Sequence, residues 1–212
     1  MNYEYFLTEK VFPIVKGKNV LELGALNNRI TECLKKAGAY YVETVDPVGL
    51  VKPIFKGTAN DYYKQFSPED GRYRDIDVVV VMGLLYHLHS PWHLLELIIN
   101  YSQPDTLIIE TSNGVTLDKG IKVPEGGYKT IGIEQFSTLG NAWPDKDIEH
   151  PISIHTSVTR EDYIKGIETT PMKLDKYWNY PDMEDFSYNF EGFSKSKHDM
   201  WLGVFKREEE KL

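Results

Sequence analysis

The sequence predicts an α/β domain with a mainly parallel sheet between two layers of helices, and two stretches carry this prediction. Residues 20–31 form an apolar segment that ends at an acidic residue, a glycine and a short polar loop, followed by a helical pattern. The four consecutive valines at residues 78–81 are typical of a central parallel strand buried on both faces. An apolar strand, a glycine loop and a helix in this order indicate the start of a nucleotide-binding βαβ unit.

The elements of this first unit can be placed along the chain. A short apolar strand is predicted over residues 19–23, flanked by polar residues. Gly24 follows it, where a residue without a Cβ permits a sharp turn and a close approach of a ligand to the main chain. Apolar residues then recur at helical spacing from Arg29, and Gly38 stands where a left-handed C-terminal cap is expected. Residues 41–45 are predicted to form the second strand.

Asp46 stands at the predicted carboxyl end of the second strand. An acid at that position of a nucleotide-binding sheet usually accepts hydrogen bonds from two ribose hydroxyls, which indicates a cofactor that contains a ribose. The alternative is that Asp46 only caps the turn before Pro47. We favour ribose binding, because ligands of such sheets bind outside the carboxyl ends of the strands.

The alternation of strands and helices continues along the rest of the chain. Further strands are predicted at residues 52–56, 78–81, 104–111, 173–177 and 200–206. Ser90 is the predicted N-cap of a helix with Pro91 in its first position. Thr159 begins another helix, with acids in the first turn as in a capping box.

Both blocks of sequence resemble class I S-adenosylmethionine-dependent methyltransferases, whose first motif is an acid followed by a glycine-rich loop. The run at residues 82–87, Ser90-Pro91 and the strand that ends at Thr111 are similar in particular to the enzymes that carboxymethylate a wobble hydroxyuridine of tRNA. The resemblance covers residues 20–111, roughly half the chain. It implies a three-layer sandwich around a Rossmann-like, mainly parallel sheet of seven strands, of which the last is antiparallel. It also implies S-adenosylmethionine or a carboxylated derivative as the cofactor.

We expect the cofactor to be bound by residues at the strand ends, with Met82 and Tyr86 carried over from the resemblance. The expected contacts are Glu22, Gly24, Asp46, Pro47, Asn60, Asp61, Met82 and Tyr86. In relatives an acid or amide like Asn60 or Asp61 meets the adenine amino group, although Asp61 could equally be the N-cap of a helix over residues 62–66. His87 lies where the methyl acceptor should approach and could act as a general base, or else make a structural hydrogen bond. His155 and Glu110 are weaker catalytic candidates.

Two residues depart from the family loop, in which three glycines alternate with other residues after the acid. The second and third glycines are replaced by Leu26 and Asn28. Asn tolerates a left-handed backbone, but a branched side chain at position 26 stands where the cofactor usually approaches the main chain. Either the loop has moved outward or the pocket is altered. A methyltransferase-like module that has lost its cofactor is therefore a non-enzymatic alternative.

Length and charge bound the partners that the chain can take. The 212 residues, 41% of them hydrophobic, suffice for one domain over residues 1–212. A formal net charge of -8 opposes non-specific binding to a phosphate backbone. The tRNA-modifying relatives carry an additional segment ahead of the cofactor domain, whereas about eighteen residues precede Asn19 here. We therefore expect a small or enclosed acceptor, with tRNA as a substrate only if a partner supplies basic surface.

Several other functions are disfavoured by the residue pattern. His87, His89 and His93 are close in sequence, but no acid or Cys completes a zinc-type ligand set, so we expect no metal. The spacing of an NAD fingerprint fails, which places a dehydrogenase last. No apolar run has the length of a membrane span, and the single cysteine, Cys33, is expected in the core. A reducing, cytoplasmic location is the natural expectation for such a chain.

Two long loops are predicted, and both are candidates for binding the acceptor. Residues 112–157 are rich in Gly and Pro and follow the fifth strand at its carboxyl end, which is typical of a lid-like insertion. Residues 181–197 hold four aromatic side chains among acids, which either pack the loop onto the body or line a substrate pocket.

Overall fold

The structure is a computed structural model, and its core is one sheet of seven strands. It describes residues 2–47, 52–65, 75–85, 88, 90–112, 130–131, 155–156, 158–183 and 200–208. The strands in chain order are β1 (Asn19–Leu23), β2 (Tyr41–Asp46), β3 (Phe55–Lys56), β4 (Val78–Met82), β5 (Thr106–Ser112), β6 (Thr130–Ile131), β7 (His155–Thr156), β8 (Met172–Asn179) and β9 (Met200–Arg207). The seven-stranded sheet has the order β3-β2-β1-β4-β5-β9-β8, and β6 pairs with β7 separately.

The topology agrees with the predicted fold class. Strands β1 to β5 run parallel to one another. Strand β9 runs antiparallel to both β5 and β8, between which it is inserted. The prediction of a mainly parallel sheet with an antiparallel last strand is therefore confirmed.

Helical segments cover the sheet and connect the strands. They are α1 (Tyr3–Phe6), a π-helical turn (Leu7–Val11), a 3-10 turn (Phe12–Val15), α2 (Arg29–Lys36), α3 (Ala59–Lys64), α4 (Pro91–Leu97), a second π-helical turn (Ile98–Ser102), α5 (Arg160–Glu168) and a 3-10 turn (Tyr180–Asp182). A parallel sheet needs such cover on both faces, because its strands are apolar throughout.

The two faces of the sheet bury two separate apolar clusters, as strand alternation requires. On the first face, Val20, Val78 and Val80 pack with residues 3–15 and α2. On the second face, Val79 and Val81 pack with the apolar side chains of α3, α4 and α5. The result is the three-layer sandwich that the valine run predicts.

Helix α2 begins and ends where the sequence predicts. It starts at Arg29, and Gly38 follows its C-cap with φ of +92°. The Gly38 N–H bonds the Lys35 carbonyl, and the Ala39 N–H bonds the Leu34 carbonyl, at 3.0 and 3.2 Å. This is the Schellman arrangement, which requires a left-handed residue and so explains the glycine.

Three local predictions are corrected by the structure. Asp61 is not the N-cap of the following helix: α3 begins at Ala59, and Thr58 caps it by accepting the Asp61 N–H at 3.1 Å. A hydroxyl three residues earlier thus takes the capping position and leaves Asp61 as the acid of a capping box. Ser90 precedes α4 as expected, but its side chain makes no cap bond, whereas Thr159 caps α5 as predicted. Strand β3 begins only at Phe55.

Both predicted loops lie mostly outside the described residues. In the 112–157 insertion, Ile131 pairs with His155 in the short antiparallel pair of β6 and β7. The 181–197 loop is described only to Met183. Within the parts of the chain that the structure describes, no helix has the length and apolarity needed to cross a membrane.

Candidate functional site

The carboxyl ends of β1, β2 and β4 meet at one edge of the sheet, which we call the carboxyl edge. Leu23, the last residue of β1, lies opposite Val45 of β2 and Val81 of β4. Gly24, Asp46 and Met82 follow these three residues directly, so they lie side by side. Parallel α/β sheets bind their ligands at this edge.

The loop between β1 and α2 keeps a left-handed backbone at three alternate residues. The φ angles are +83° at Gly24, +37° at Leu26 and +59° at Asn28. Only glycine adopts such angles without steric cost, and Asn adopts them more readily than a branched residue. The loop therefore has the dihedral pattern of a glycine-rich loop, although two of its three positions carry side chains.

Asp46 fastens this loop to the end of β2. Its side chain is 5% exposed, and its Oδ2 accepts the Leu26 N–H at 2.9 Å. The Gly24 N–H donates to the Val45 carbonyl at 2.8 Å, one residue earlier on the same strand. Asp46 therefore holds the loop between β1 and α2 against the end of β2.

Glu22 lies buried beneath the same loop. Its Oε2 accepts the Thr31 hydroxyl from the first turn of α2 at 2.5 Å, and its side chain is 2% exposed. Burial is the main cause that raises the pKa of Glu22 to about 7, and the negative charge of Asp46 adds to it. The carboxyl edge consequently holds a carboxyl group that titrates near neutral pH.

Close packing of the loop against the end of β4 explains Gly24 itself. A Cβ on Gly24 would lie 3.3 Å from Cβ of Leu84, in the segment that follows β4. Gly83, with φ of +70°, turns that segment, and its N–H bonds the Glu110 carbonyl of β5 at 3.1 Å. The ends of β1, β4 and β5 are thereby tied together in a dense edge.

Glu110 of β5 is bound on the first face of the sheet by two tyrosines. Its Oε2 accepts the hydroxyl of Tyr3 and, at 2.6 Å, the hydroxyl of Tyr180. All three residues are at most 2% exposed. Glu110, which the sequence offers as a weaker catalytic candidate, is in the structure the acceptor of these two hydroxyls. Neither tyrosine could be named from the sequence, since nothing in their spacing relates them to β5.

The structure places the other predicted residues as follows. Met82 is 9% exposed and packs on the first face. Pro47 and Asn60 are exposed, and Asp61 is exposed with its carboxylate bound to Thr58 and Lys64. Those two partners lower the pKa of Asp61 below its ordinary range. Tyr86 and His87 lie outside the described residues, so the expectations for them stay predictions.

An unpartnered oxygen at the loop tests whether S-adenosylmethionine fits. Oδ1 of Asn28 is buried and has no hydrogen-bond partner among the described residues. Buried polar atoms are almost always paired, so an acceptor left open at this loop suits a ligand with donor groups. S-adenosylmethionine carries an ammonium group and two ribose hydroxyls, and the acceptors present at the edge match that donor set. In the described part of the chain, no group of His, Cys, Asp and Glu could hold a metal ion.

Comparisons with known proteins show the fold and nothing narrower. No protein-family model matches the chain, and no curated protein matches its sequence. A solved S-adenosylmethionine-dependent methyltransferase from Mesorhizobium loti matches with a TM-score of 0.59 and 12% identity, over 96% of this chain and 97% of that one.

Two further structures were solved with S-adenosylhomocysteine. The 1,6-didemethyltoxoflavin-N1-methyltransferase of Burkholderia thailandensis gives a TM-score of 0.55 at 13% identity, over 95% of this chain and 78% of that one. The N-terminal domain of EvdMO1, crystallised in the presence of the same compound and D-fucose, gives 0.52 at 15% identity, over 96% and 79%. These neighbours give no specific support to the tRNA carboxymethyltransferases. The chain has the fold of the S-adenosylmethionine-dependent methyltransferases.

Proposed function

We propose that this protein is an S-adenosylmethionine-dependent methyltransferase that acts on a small or enclosed acceptor. The observation that carries the proposal is the loop after β1, with its three left-handed residues and its hydrogen bond to Asp46. The likeness to methyltransferase structures supports the proposal at the level of fold. The preserved backbone of the loop favours cofactor binding over a degenerate module, because costly dihedral angles at non-glycine residues cluster at ligand-binding sites.

In this proposal the residues of the carboxyl edge bind and orient the cofactor. Asp46 accepts hydrogen bonds from the ribose, and the turn at Gly24 lets the main chain approach the methionyl part. Oδ1 of Asn28 supplies a further acceptor. When bound, S-adenosylmethionine supplies an electrophilic methyl group on a sulfonium. Beyond that, the protein's task is to hold the acceptor in line with that group and to exclude water.

The nature of the acceptor is proposed from charge and from the neighbours. A net charge of -8 disfavours a polyanion. The Burkholderia protein was crystallised with 1,6-didemethyltoxoflavin, and a small acceptor of that kind suits the present chain better than a nucleic acid. His87 follows β4 closely in sequence and is proposed as an optional base, needed only where the acceptor must lose a proton.

The decisive experiment is binding of S-adenosylhomocysteine by calorimetry to the wild type and to two variants of Asp46. Asp46→Ala removes both oxygens, and we expect it to lose about 2–4 kcal/mol, at least tenfold in affinity. Asp46→Asn keeps one acceptor oxygen for the Leu26 N–H and should lose less. Asp105→Ala, an exposed acid at the opposite edge, is the matched control and should bind as the wild type does.

The outcomes separate the two functions considered. Wild-type binding that is equal in Asp46→Ala would show that Asp46 does not hold the ribose. Failure of the folded wild type to bind either S-adenosylmethionine or S-adenosylhomocysteine would overturn the proposal and support a non-catalytic module. Methyl transfer itself is then measured with labelled S-adenosylmethionine against a panel of small hydroxyl and nitrogen compounds.

A further inference from the structure

The last residues of β5 place different polar side chains on the two faces of the sheet. Glu110 points to the first face, where two tyrosine hydroxyls satisfy it. Thr111, the next residue, must point to the second face, because neighbouring side chains of a strand alternate. Opposite Thr111 in the antiparallel pairing stands Trp201 of β9.

Thr111 and Trp201 each bury a polar atom that has no partner among the described residues. The atoms are Oγ1 of Thr111 and Nε1 of Trp201, and both side chains are 0% exposed. Directly opposite residues of an antiparallel pair have Cβ atoms about 5 Å apart, so the two polar groups belong to one small region. An unpaired buried donor or acceptor is unfavourable and rare, so two at one place call for a ligand or a function.

The orientation of the indole ring is fixed by its neighbours. Cζ3 of Trp201 lies 2.6 Å from the position that a Cβ on Gly203 would take, so the ring fits only because residue 203 is a glycine. Nε1 is at the opposite end of the ring from Cζ3 and therefore lies away from Gly203. Tyr163 of α5 packs on the ring, with centroids 6.2 Å apart. These contacts hold the N–H in one direction.

The pair lies at the carboxyl edge, beside the proposed cofactor site. Between the pair of Thr111 and Trp201 and that edge, each strand has only one more residue. These residues are Ser112 on β5 and Met200 on β9. Strand β5 is the direct neighbour of β4, whose last residue, Met82, pairs with Glu110. The two open polar groups thus stand on the side of the site that faces away from Asp46 and β2.

We propose that Nε1 of Trp201 and Oγ1 of Thr111 form the subsite that binds a neutral oxygen of the methyl acceptor. This inference rests on the proposed methyltransferase function and deepens it. The indole N–H can only donate, and the threonine hydroxyl can both donate and accept, so a carbonyl or hydroxyl oxygen satisfies both. A charged group is disfavoured there, because the pair carries no charge that would offset its desolvation. The acceptor class is therefore one that bears an uncharged oxygen.

Phenol and toluene test the subsite, because they have nearly the same shape and toluene carries a methyl group where phenol carries a hydroxyl. Their binding is followed by the indole N–H signals of ¹⁵N-labelled protein, with and without S-adenosylhomocysteine. The signal absent from Trp201→Phe identifies Trp201. We expect phenol to move this signal and toluene to leave it in place. Thr111→Val should lower the affinity for phenol about three- to tenfold, as loss of one neutral hydrogen bond predicts.

Matched controls separate the subsite from general packing. Thr106→Val makes the same change at the other end of β5, where Thr106 is also buried, and should leave phenol binding unchanged. Thr111→Val should unfold at the same or higher denaturant concentration, because it removes an unpaired polar atom. An unmoved Trp201 signal, or equal effects of phenol and toluene, would overturn the subsite. Equal phenol binding by Thr111→Val and the wild type would do the same.

Thermal shifts measured on the same samples test the proposed function separately. A thermal shift with S-adenosylhomocysteine together with no phenol response contradicts the subsite alone. A phenol response at Trp201 without any shift from S-adenosylhomocysteine or S-adenosylmethionine contradicts the methyltransferase function, and a neutral-oxygen site of another kind remains.

Discussion

Leu26 occupies a backbone conformation that a branched residue adopts at a cost. With φ of +37°, it forfeits about 1–2 kcal/mol relative to glycine, while its partly buried side chain regains some of that by packing. From the sequence, either the loop has moved outward or the pocket is altered. The left-handed angles at three alternate residues show a loop that keeps the glycine dihedral pattern around the larger side chain.

We expect Leu26→Gly to keep or improve the affinity for S-adenosylhomocysteine. Leu26→Ala is the matched control, because it removes the same packing but leaves a Cβ in the left-handed region. The glycine variant should therefore be the more stable of the two by about 1 kcal/mol in urea unfolding. Weaker cofactor binding by a well-folded Leu26→Gly would instead make the leucine side chain a contact of the pocket.

Glu22 gives the protein a pH dependence whose sign can be stated. Its pKa is raised by burial from an ordinary value near 4.5 to about 7, so the folded protein binds this proton more tightly than the unfolded chain. Stability should then fall as the pH rises from about 4.5 to about 7 and show no further loss from this group above that. Glu22→Gln, which keeps an oxygen for Thr31, should lack this decline.

Urea unfolding at intervals between pH 4.5 and 8 measures the effect of Glu22. Glu32→Gln, on the exposed side of α2, is the control for removal of a carboxylate from the same region. An unchanged decline in Glu22→Gln would assign the pH dependence to other groups.

At the scale of elements, the two helix starts with Thr159 and Ser90 offer a direct comparison. Thr159 accepts the Asp162 N–H at 3.1 Å, whereas the Ser90 side chain makes no cap bond. We expect Thr159→Ala to cost about 1 kcal/mol of unfolding free energy and Ser90→Ala a few tenths at most. Equal losses in chemical denaturation would show that Ser90 caps α4 in solution.

Local signals explain which elements the sequence predicts correctly. Strands β1 and β4 and helix α2 follow from apolar runs, helical spacing and a cap glycine, all of which act within a few residues. Short elements were placed less well: β3 has only two residues, and α3 begins earlier because Thr58 competes successfully with Asp61 for the cap. Where two good capping residues stand close together, sequence alone does not decide between them.

Candidate site residues were predictable only where the fold fixes their place. Asp46 and Gly24 could be named because the end of a strand defines their position. The partners of Glu110 could not, since Tyr3 and Tyr180 are 107 and 70 residues away in the chain. The same holds for Thr111 and Trp201, which meet only through the pairing of β5 with β9.

At the scale of the whole molecule, the hydroxyl of Tyr180 joins the segment after β8 to β5. We expect Tyr180→Phe to lower the free energy of unfolding by about 1–3 kcal/mol, because it leaves a buried carboxyl group with one donor fewer. Tyr177→Phe is the control: Tyr177 is half exposed and keeps the guanidinium of Arg160 over its ring. Equal stability of the two variants would show that the Glu110 cluster does not hold these segments together.

The charge of the whole molecule predicts its behaviour toward RNA. With a net charge of -8, we expect no appreciable binding of bulk tRNA at physiological salt in a filter-binding assay. Tight binding that falls steeply with added salt would reveal a concentrated basic surface, and it would favour tRNA over a small acceptor.

The position of β9 sets the order in which the protein can assemble during synthesis. This strand leaves the ribosome last of the seven, yet it lies between β5 and β8 and supplies Trp201 to the carboxyl edge. Until it arrives, β5 has an open side, and β8 has no partner within the sheet. A nascent chain therefore exposes an unpaired edge of apolar strand for the time needed to add roughly ninety residues, an interval in which chaperones are of most use.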